Sequence, residues 1–399
     1  MRDDLHVAFD GRSLAASSLR GWDRYTLELA RELEHLGIKL SFFCRAEAPI
    51  QRQHLRGLDA SVVALPDRGG LHWTQVALPK ALKEHGCDLY HAPAEQGVPL
   101  LPMTCPVVLT VHSVISLGYL ALVRAGELPG TVADYLGYEL RLWSFAGLYW
   151  RAQILRANAI MAPSEYCRGE IIKHLGVAPN RVTTTLLGLP EVFRRPPKDA
   201  AERGIILRGL GILGPYLLSV GGYERHKNPH GLIEAFAQVS PLRPNMQLVM
   251  VGSRGVPHEL QQLAASLGVQ SKILFLVDVG DSLVELYDGA ELFVSLSWLE
   301  TFCLPALEAM SRGVLPVCSS WGALPEVLGD CGWCVDPRDI KGAAATWMLA
   351  LNDPQRVLRA ARAKSHATAF GWRQAALRTL AVYLALKQRA SRPPFKRQK

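Results

Sequence analysis

No Asp-x-Asp occurs in the 399 residues, so the chain lacks the aspartate pair, with one residue between, that commonly holds a divalent cation against phosphate oxygens. No apolar run reaches the roughly 18 residues needed to cross a bilayer. The opening Met1-Arg2-Asp3-Asp4-Leu5-His6-Val7-Ala8-Phe9-Asp10 is charged and then strand-like, without the hydrophobic region of a signal peptide. The missing span and signal region predict a cytoplasmic location. The eight cysteines are too scattered for a disulfide framework and fit reduced thiols. Cys331-Gly332-Trp333-Cys334 has a redox or zinc spacing, but neither a strand-to-helix context nor a second ligand pair stands nearby. Acidic residues are missing after Asp353, where 12 of the 44 Lys and Arg are found. The remaining 32 against 36 Asp and Glu give −4, so the net charge of +8 belongs to the C-terminal segment. Such a tail suits an anionic membrane surface or a solvated helix face with a frayed end. Nucleic acid is not expected as a partner.

What the chain does have is size and hydrophobic content. Its length suggests two domains of roughly 200 residues each, and 49% hydrophobic residues suffice for buried parallel sheets. Strand and helix patterns alternate through Leu5–Asp10, Asp23–Leu36, Leu40–Cys44, Gln75–Glu84, Leu89–His91 and Val107–Val111. A long helical stretch over Ala133–Asn158 leads into the strand-and-cap sequence Ala159-Ile160-Met161-Ala162-Pro163-Ser164. The proline-rich, charged segment Phe193–Glu202 reads as a linker. It separates an N-terminal domain, 1–195, from a second α/β series over 203–371, with strands at Tyr216–Val220, Gln247–Val251, Ile273–Leu276, Leu292–Ser297 and Leu315–Cys318. Gly209-Leu210-Gly211-Ile212-Leu213-Gly214 matches a dinucleotide fingerprint but precedes a strand instead of following one, and reads as a turn.

The chemistry concentrates in four places. In Ser297-Trp298-Leu299-Glu300-Thr301-Phe302-Cys303-Leu304-Pro305-Ala306-Leu307-Glu308-Ala309-Met310, strand composition precedes a loop, and Pro305 suits the start of a helix that Gly313 ends. Glu300 falls in the strand-to-helix loop and Glu308 in the expected first helical turn. Unpaired N–H groups there suit an anion, and the carboxylates suit hydroxyl donors; Glu308 alone is equally a complement to the helix dipole. The loop Gly221-Gly222-Tyr223-Glu224-Arg225-His226-Lys227-Asn228-Pro229 follows a strand, with Asn228 as cap and Lys227 as a cation beside the helix start. His112 closes the buried run Val107–Val111, and Arg20-Gly21-Trp22-Asp23-Arg24-Tyr25 follows the first strand. A surface lysine or a structural histidine is the plain reading of either residue taken alone.

The Glu300 to Glu308 segment resembles the signature of the family 4 retaining glycosyltransferases, a glutamate, seven residues and a second glutamate, with Phe302, Pro305, Ala309 and Met310 also matching. Thr301 and Cys303 replace the family's two glycines. Gly322-Ala323-Leu324-Pro325-Glu326-Val327 and Val335-Asp336-Pro337 continue the likeness, which covers nearly the whole chain. The resemblance implies the GT-B fold, two facing Rossmann-like domains whose final helix, Trp372–Gln388, crosses back so that 372–399 joins the first domain. It implies that Glu308 holds ribose, Glu300 the sugar hydroxyls, and Lys227 the donor phosphates. Gly21, Gly221, Phe302, Cys303 and Leu304 fall in the loops that border the donor, and Arg225 is the nearby arginine left to replace the family's, which is Gly222 here. His112 keeps the histidine of a His-Asp pair as a donor-orienting residue.

The resulting expectation is a retaining enzyme that moves a hexose, guessed as mannose or glucose, from a nucleoside-diphosphate sugar to a glycan or lipid-linked acceptor. With a lysine and a helix N-terminus available for the leaving diphosphate, no metal or other cofactor is expected. A nucleotide-sugar epimerase and a non-catalytic nucleotide-sugar-binding protein are the alternatives.

Overall fold

A computed structural model describes residues 5–16, 21–95, 97–128, 144–253 and 255–390. The chain divides into two compact units, one formed by Met1–Gly188 with Gly371–Lys399 and the other by Leu189–Phe370.

The first unit is built on seven parallel strands: β1 (His6–Asp10), β2 (Lys39–Arg45), β3 (Ala60–Leu65), β4 (Leu89–Ala92), β5 (Val107–Thr110), β6 (Ala159–Ala162) and β7 (Val182–Thr184). Their order is β3-β2-β1-β4-β5-β6-β7, and the in-register neighbours are all parallel, as in Val7 against Leu40 and Leu89. β1, β4 and β5 are buried along their whole lengths, the pattern of strands covered on both faces by helices. The helix Gly21–His35 packs against the C-terminal helix Trp372–Ala390. The latter is anchored by Tyr383, whose hydroxyl meets His91 Nδ1, and by Lys387, 2.9 Å from Asp88.

The second unit holds six parallel strands: β8 (Tyr216–Val220), β9 (Gln247–Gly252), β10 (Ile273–Val277), β11 (Leu292–Ser295), β12 (Pro316–Ser319) and β13 (Trp333–Val335), in the order β10-β9-β8-β11-β12-β13. From β8 the chain progresses outward through β9 and β10, then returns to lay β11 on the other side of β8. The crevice at the carboxyl ends of β8 and β11 is therefore the topological switch point, where open α/β sheets bind ligands.

Several boundaries differ from the sequence expectation. Leu189–Arg195 belongs to the second unit rather than the first, because Leu189 donates to the Phe370 carbonyl and Arg312 donates to the carbonyls of Phe193 and Arg195. The expected linker is partly helical, since Asp199 caps a helix over Ala200–Gly209. Strands β3, β7 and β13 were not anticipated; the last two are three residues long, too short to show a period. Of the long stretch at 133–158, the structure describes the helix Phe145–Arg156, and residues 129–143 lie outside the described residues. All eight cysteines are free thiols. Lys387 is paired to Asp88 instead of being an open surface cation, and residues 391–399 of the basic tail fall outside the described residues. No described helix is long and apolar enough to cross a membrane.

Candidate functional site

Two loops meet at the switch point of the second unit. After β8, Gly221 and Gly222 take φ values of 143° and 100°, a region that a side chain disfavours. An arginine at 222 would be strained on this backbone, which accounts for glycine there. The chain then makes a short helical turn over Arg225–Lys227 and enters the helix Pro229–Val239. Asn228, left-handed at φ 52°, caps that helix by accepting from Gly231 N at 3.1 Å. Arg225 is exposed on the same turn whose far end carries Lys227.

After β11 the second loop carries Glu300, which is 5% exposed. Lys227 Nζ donates to Glu300 Oε1 at 2.7 Å, and Ser297 Oγ donates to the same oxygen at 2.9 Å. Trp298 N donates to the His226 carbonyl at 2.8 Å, tying the two loops together through backbone. A third segment supports Glu300 from behind: Ala323 N donates to its carbonyl, and a Cβ at Gly322 would sit 2.7 Å from that oxygen. Burial works against the Lys227 ammonium, but the Glu300 carboxylate more than offsets it, so the lysine pKa is raised and the side chain stays charged.

The helix Leu304–Ser311 begins at Cys303, which takes φ 74° and ψ 69°. The family glycine replaced by Cys303 thus marks a left-handed position, and the cysteine occupies it at a steric cost. Thr301 is not among the positive-φ residues. Phe302, Cys303 and Ala306 are buried, whereas Leu304 is half-buried at the first helical position, with Pro305 behind it. Burial raises the Cys303 thiol pKa, helped by Glu300 and Glu308 and opposed by Lys227. Glu308 is the fifth residue of the helix and not part of its first turn, so it does not complement the N-terminal end of the dipole. Its Oε2 instead accepts from the Tyr287 hydroxyl at 2.8 Å.

His112 and Gly21 lie in the first unit. His112 follows β5, its Nε2 donating to the Pro93 carbonyl at 2.8 Å, and the Tyr25 ring meets it edge-on at 4.7 Å. With a carbonyl as partner, Nε2 bears the proton. Burial lowers the His112 pKa, partly opposed by Glu95, so the neutral imidazole offers Nδ1 as an acceptor. Gly21 starts the helix Gly21–His35 with open space where a Cβ would be, so its backbone does not require glycine.

Sequence reasoning did not find Tyr287, Ser297 as a ligand of Glu300, or the buried pair of Asp288 and Arg312. Tyr287 and the Asp288–Arg312 pair act through contacts between helices distant in sequence, for which no local pattern exists, whereas Ser297 reaches Glu300 within one loop, three residues away.

Residues 19–189 match the family model described as Glycosyltransferase Family 4, and residues 213–367 match Glycosyl transferases group 1. The chain belongs to the family 4, group 1 glycosyltransferases. Among curated relatives, O-antigen chain mannosyltransferase B of Escherichia coli is 34% identical over 58% of this chain, and the match spans 61% of that protein's length. A D-inositol 3-phosphate glycosyltransferase of Catenulispora acidiphila is 29% identical over 91% of this chain and 90% of its own. Among solved structures, a glycosyltransferase from Rickettsia africae superposes with a TM-score of 0.72 at 14% identity, covering 96% of this chain and 98% of that one. Anabaena HepE in complex with UDP and glucose gives 0.70 at 17% identity, with 96% and 99% covered. These glycosyltransferase neighbours and the two parallel-sheet units identify the architecture as GT-B.

Proposed function

We propose that this glycosyltransferase moves a hexose, mannose or glucose, from a nucleoside-diphosphate sugar to a hydroxyl of a glycan or lipid-linked acceptor, with retention at the anomeric carbon. The observation that carries the reading is the Lys227–Glu300 contact at the switch point of the second unit, with Glu308 on the helix that follows. Lys227 meets the diphosphate, Glu300 the sugar hydroxyls and Glu308 the ribose, while Gly221, Arg225, Phe302, Cys303 and Leu304 border the donor. His112, in the first unit, is the donor-orienting residue of this reading, and Gly21 begins the helix that carries Tyr25, whose ring meets the His112 imidazole. The mannosyltransferase relative and the glucose complex of HepE support the two hexoses, and the O-antigen relative supports a glycan or lipid-linked acceptor. Arg356, Arg359, Arg373 and Lys387 are held in ion pairs, and the other cations that follow Asp353 support work at an anionic membrane surface.

In the proposed reaction the bond from the anomeric carbon to the phosphate oxygen breaks, and the acceptor oxygen attacks on the same face. The departing phosphate takes the acceptor's proton. Lys227 stabilises the charge growing on that phosphate, a preorganised electrostatic contribution, and the chain needs no metal for the step. Purified protein given UDP-glucose or GDP-mannose in chelator should release nucleoside diphosphate, and Lys227→Ala should lower turnover roughly 10²-fold or more. Activity lost in chelator and restored by Mg²⁺ or Mn²⁺ would contradict this role for Lys227. Donor isomerised without sugar release would indicate an epimerase, and binding without turnover a non-catalytic protein.

A further inference from the structure

Glu308 does not stand alone on its helix. Its Oε2 accepts from Tyr287 at 2.8 Å, and four residues later Arg312 forms a two-point pair with Asp288, Nε to Oδ1 at 2.6 Å and Nη2 to Oδ2 at 2.8 Å. Consecutive residues, Tyr287 and Asp288, therefore grip one helix at positions one turn apart. Tyr287 is fully buried, and the Asp288 and Arg312 side chains are 6% and 5% exposed. The same bracket holds the segment that enters this unit: the Phe193 ring lies edge-on to Tyr287 at 5.5 Å, and Arg312 Nη1 donates to the carbonyls of Phe193 at 3.0 Å and Arg195 at 2.6 Å.

The torsion that rotates a glutamate carboxylate about its last carbon–carbon bond is broad and weakly restrained. Ribose hydroxyls require a carboxylate plane of fixed direction, and a directional donor on one oxygen helps to fix it. Tyr287 is suited to be that donor. Burial, reinforced by the Glu308 charge, keeps the phenol protonated, and a neutral O–H orients the carboxylate without cancelling its charge, unlike the lysine that meets Glu300.

We propose that Tyr287 is a positioning residue for donor recognition, its hydroxyl fixing the Glu308 carboxylate in the orientation that accepts the nucleotide's ribose hydroxyls, with Asp288 and Arg312 holding the helix beneath it. This rests on the assignment of Glu308 to ribose. A core aromatic that merely packs against Phe193 and Phe293 would serve equally well as phenylalanine.

The test compares ribose and 2′,3′-dideoxyribose ligands. UDP, GDP and ADP are titrated by calorimetry into the full chain to find the base it accepts, and that diphosphate is then compared with its dideoxy counterpart in wild type, Tyr287→Phe and Glu308→Gln. The wild type should prefer the ribose form, and Glu308→Gln should abolish most of that preference. Tyr287→Phe should weaken the ribose ligand about 10-fold, the size of one oriented hydrogen bond to a charged group, while leaving the dideoxy ligand unchanged. An equal loss for both ligands in Tyr287→Phe, or no loss for either, would overturn the positioning role even where Glu308→Gln has lost the ribose preference. An unaltered preference in Glu308→Gln would instead remove the ribose assignment, and the positioning role with it.

Discussion

Lys227 Nζ rests 2.7 Å from Glu300 Oε1, across 73 residues of sequence, at the carboxyl ends of two adjacent strands. The cation proposed for the diphosphate and the carboxylate proposed for the sugar satisfy each other. In the proposed roles, donor binding diverts the ammonium toward phosphate and releases carboxylate acceptor capacity to the sugar hydroxyls. The two roles are coupled rather than independent.

Glu300→Gln is expected to bind nucleoside diphosphate about five-fold more tightly than wild type, because the substitution removes both a competitor for Lys227 and a negative charge facing the phosphates. Turnover should nevertheless fall, since the amide is a poorer acceptor for sugar hydroxyls. Calorimetry with UDP and GDP, paired with a donor-turnover assay, measures both. Weaker diphosphate binding in this variant would show that the ion pair does not compete with the ligand.

Cys303 supports a prediction about stability. A side chain in the left-handed region costs roughly 1–2 kcal/mol, whereas glycine loses roughly 0.5–1 kcal/mol through the unfolded chain and forgoes about 1 kcal/mol of thiol burial. Cys303→Gly should therefore lie within about 1 kcal/mol of wild type. Cys303→Val, branched at a positive φ, should cost about 2 kcal/mol or more. Urea unfolding of the three proteins decides this, and a valine variant as stable as wild type would mean that the backbone at 303 is not left-handed.

The third prediction concerns pH. His91 is fully buried between Thr110 and Tyr383, and burial, with a smaller push from His112, lowers its pKa from 6.5 to about 3. In the unfolded chain the imidazole takes up a proton as pH falls below 6.5, while in the folded chain it stays neutral down to about 3. Stability is therefore full above pH 6.5 and is lost progressively on acidification through that window, with a slope approaching about 1.4 kcal/mol per pH unit from this one group. His91→Gln should make the unfolding midpoint less sensitive between pH 7 and pH 5. Parallel pH dependences for variant and wild type would exclude His91 as a source of the acid sensitivity.

Sequence alone determined the features that are local. Asn228 before Pro229 and Ser164 before Glu165 each announce a helix start, and both cap their helices. The apolar stretches Val7–Phe9, Tyr216–Leu218 and Leu248–Val251 inside β1, β8 and β9 are buried, as in strands covered on both faces. The spacing of Glu300 and Glu308, with Pro305 between them, placed one glutamate in a loop and the other on a helix. What the tertiary structure decided is which groups satisfy these side chains. Tyr287 reaches Glu308, and Arg312 reaches both Asp288 and the carbonyls of Phe193 and Arg195, through contacts 21 to 119 residues apart in sequence. Gly322 is required by the Glu300 backbone pressed against it, and Cys303 carries a conformation that its own residue type disfavours. Caps and periodicities arise from neighbours along the chain and can be read there. The orientation of a buried carboxylate arises from whichever donors packing brings to it, and that is fixed when the strands take their order in the sheet.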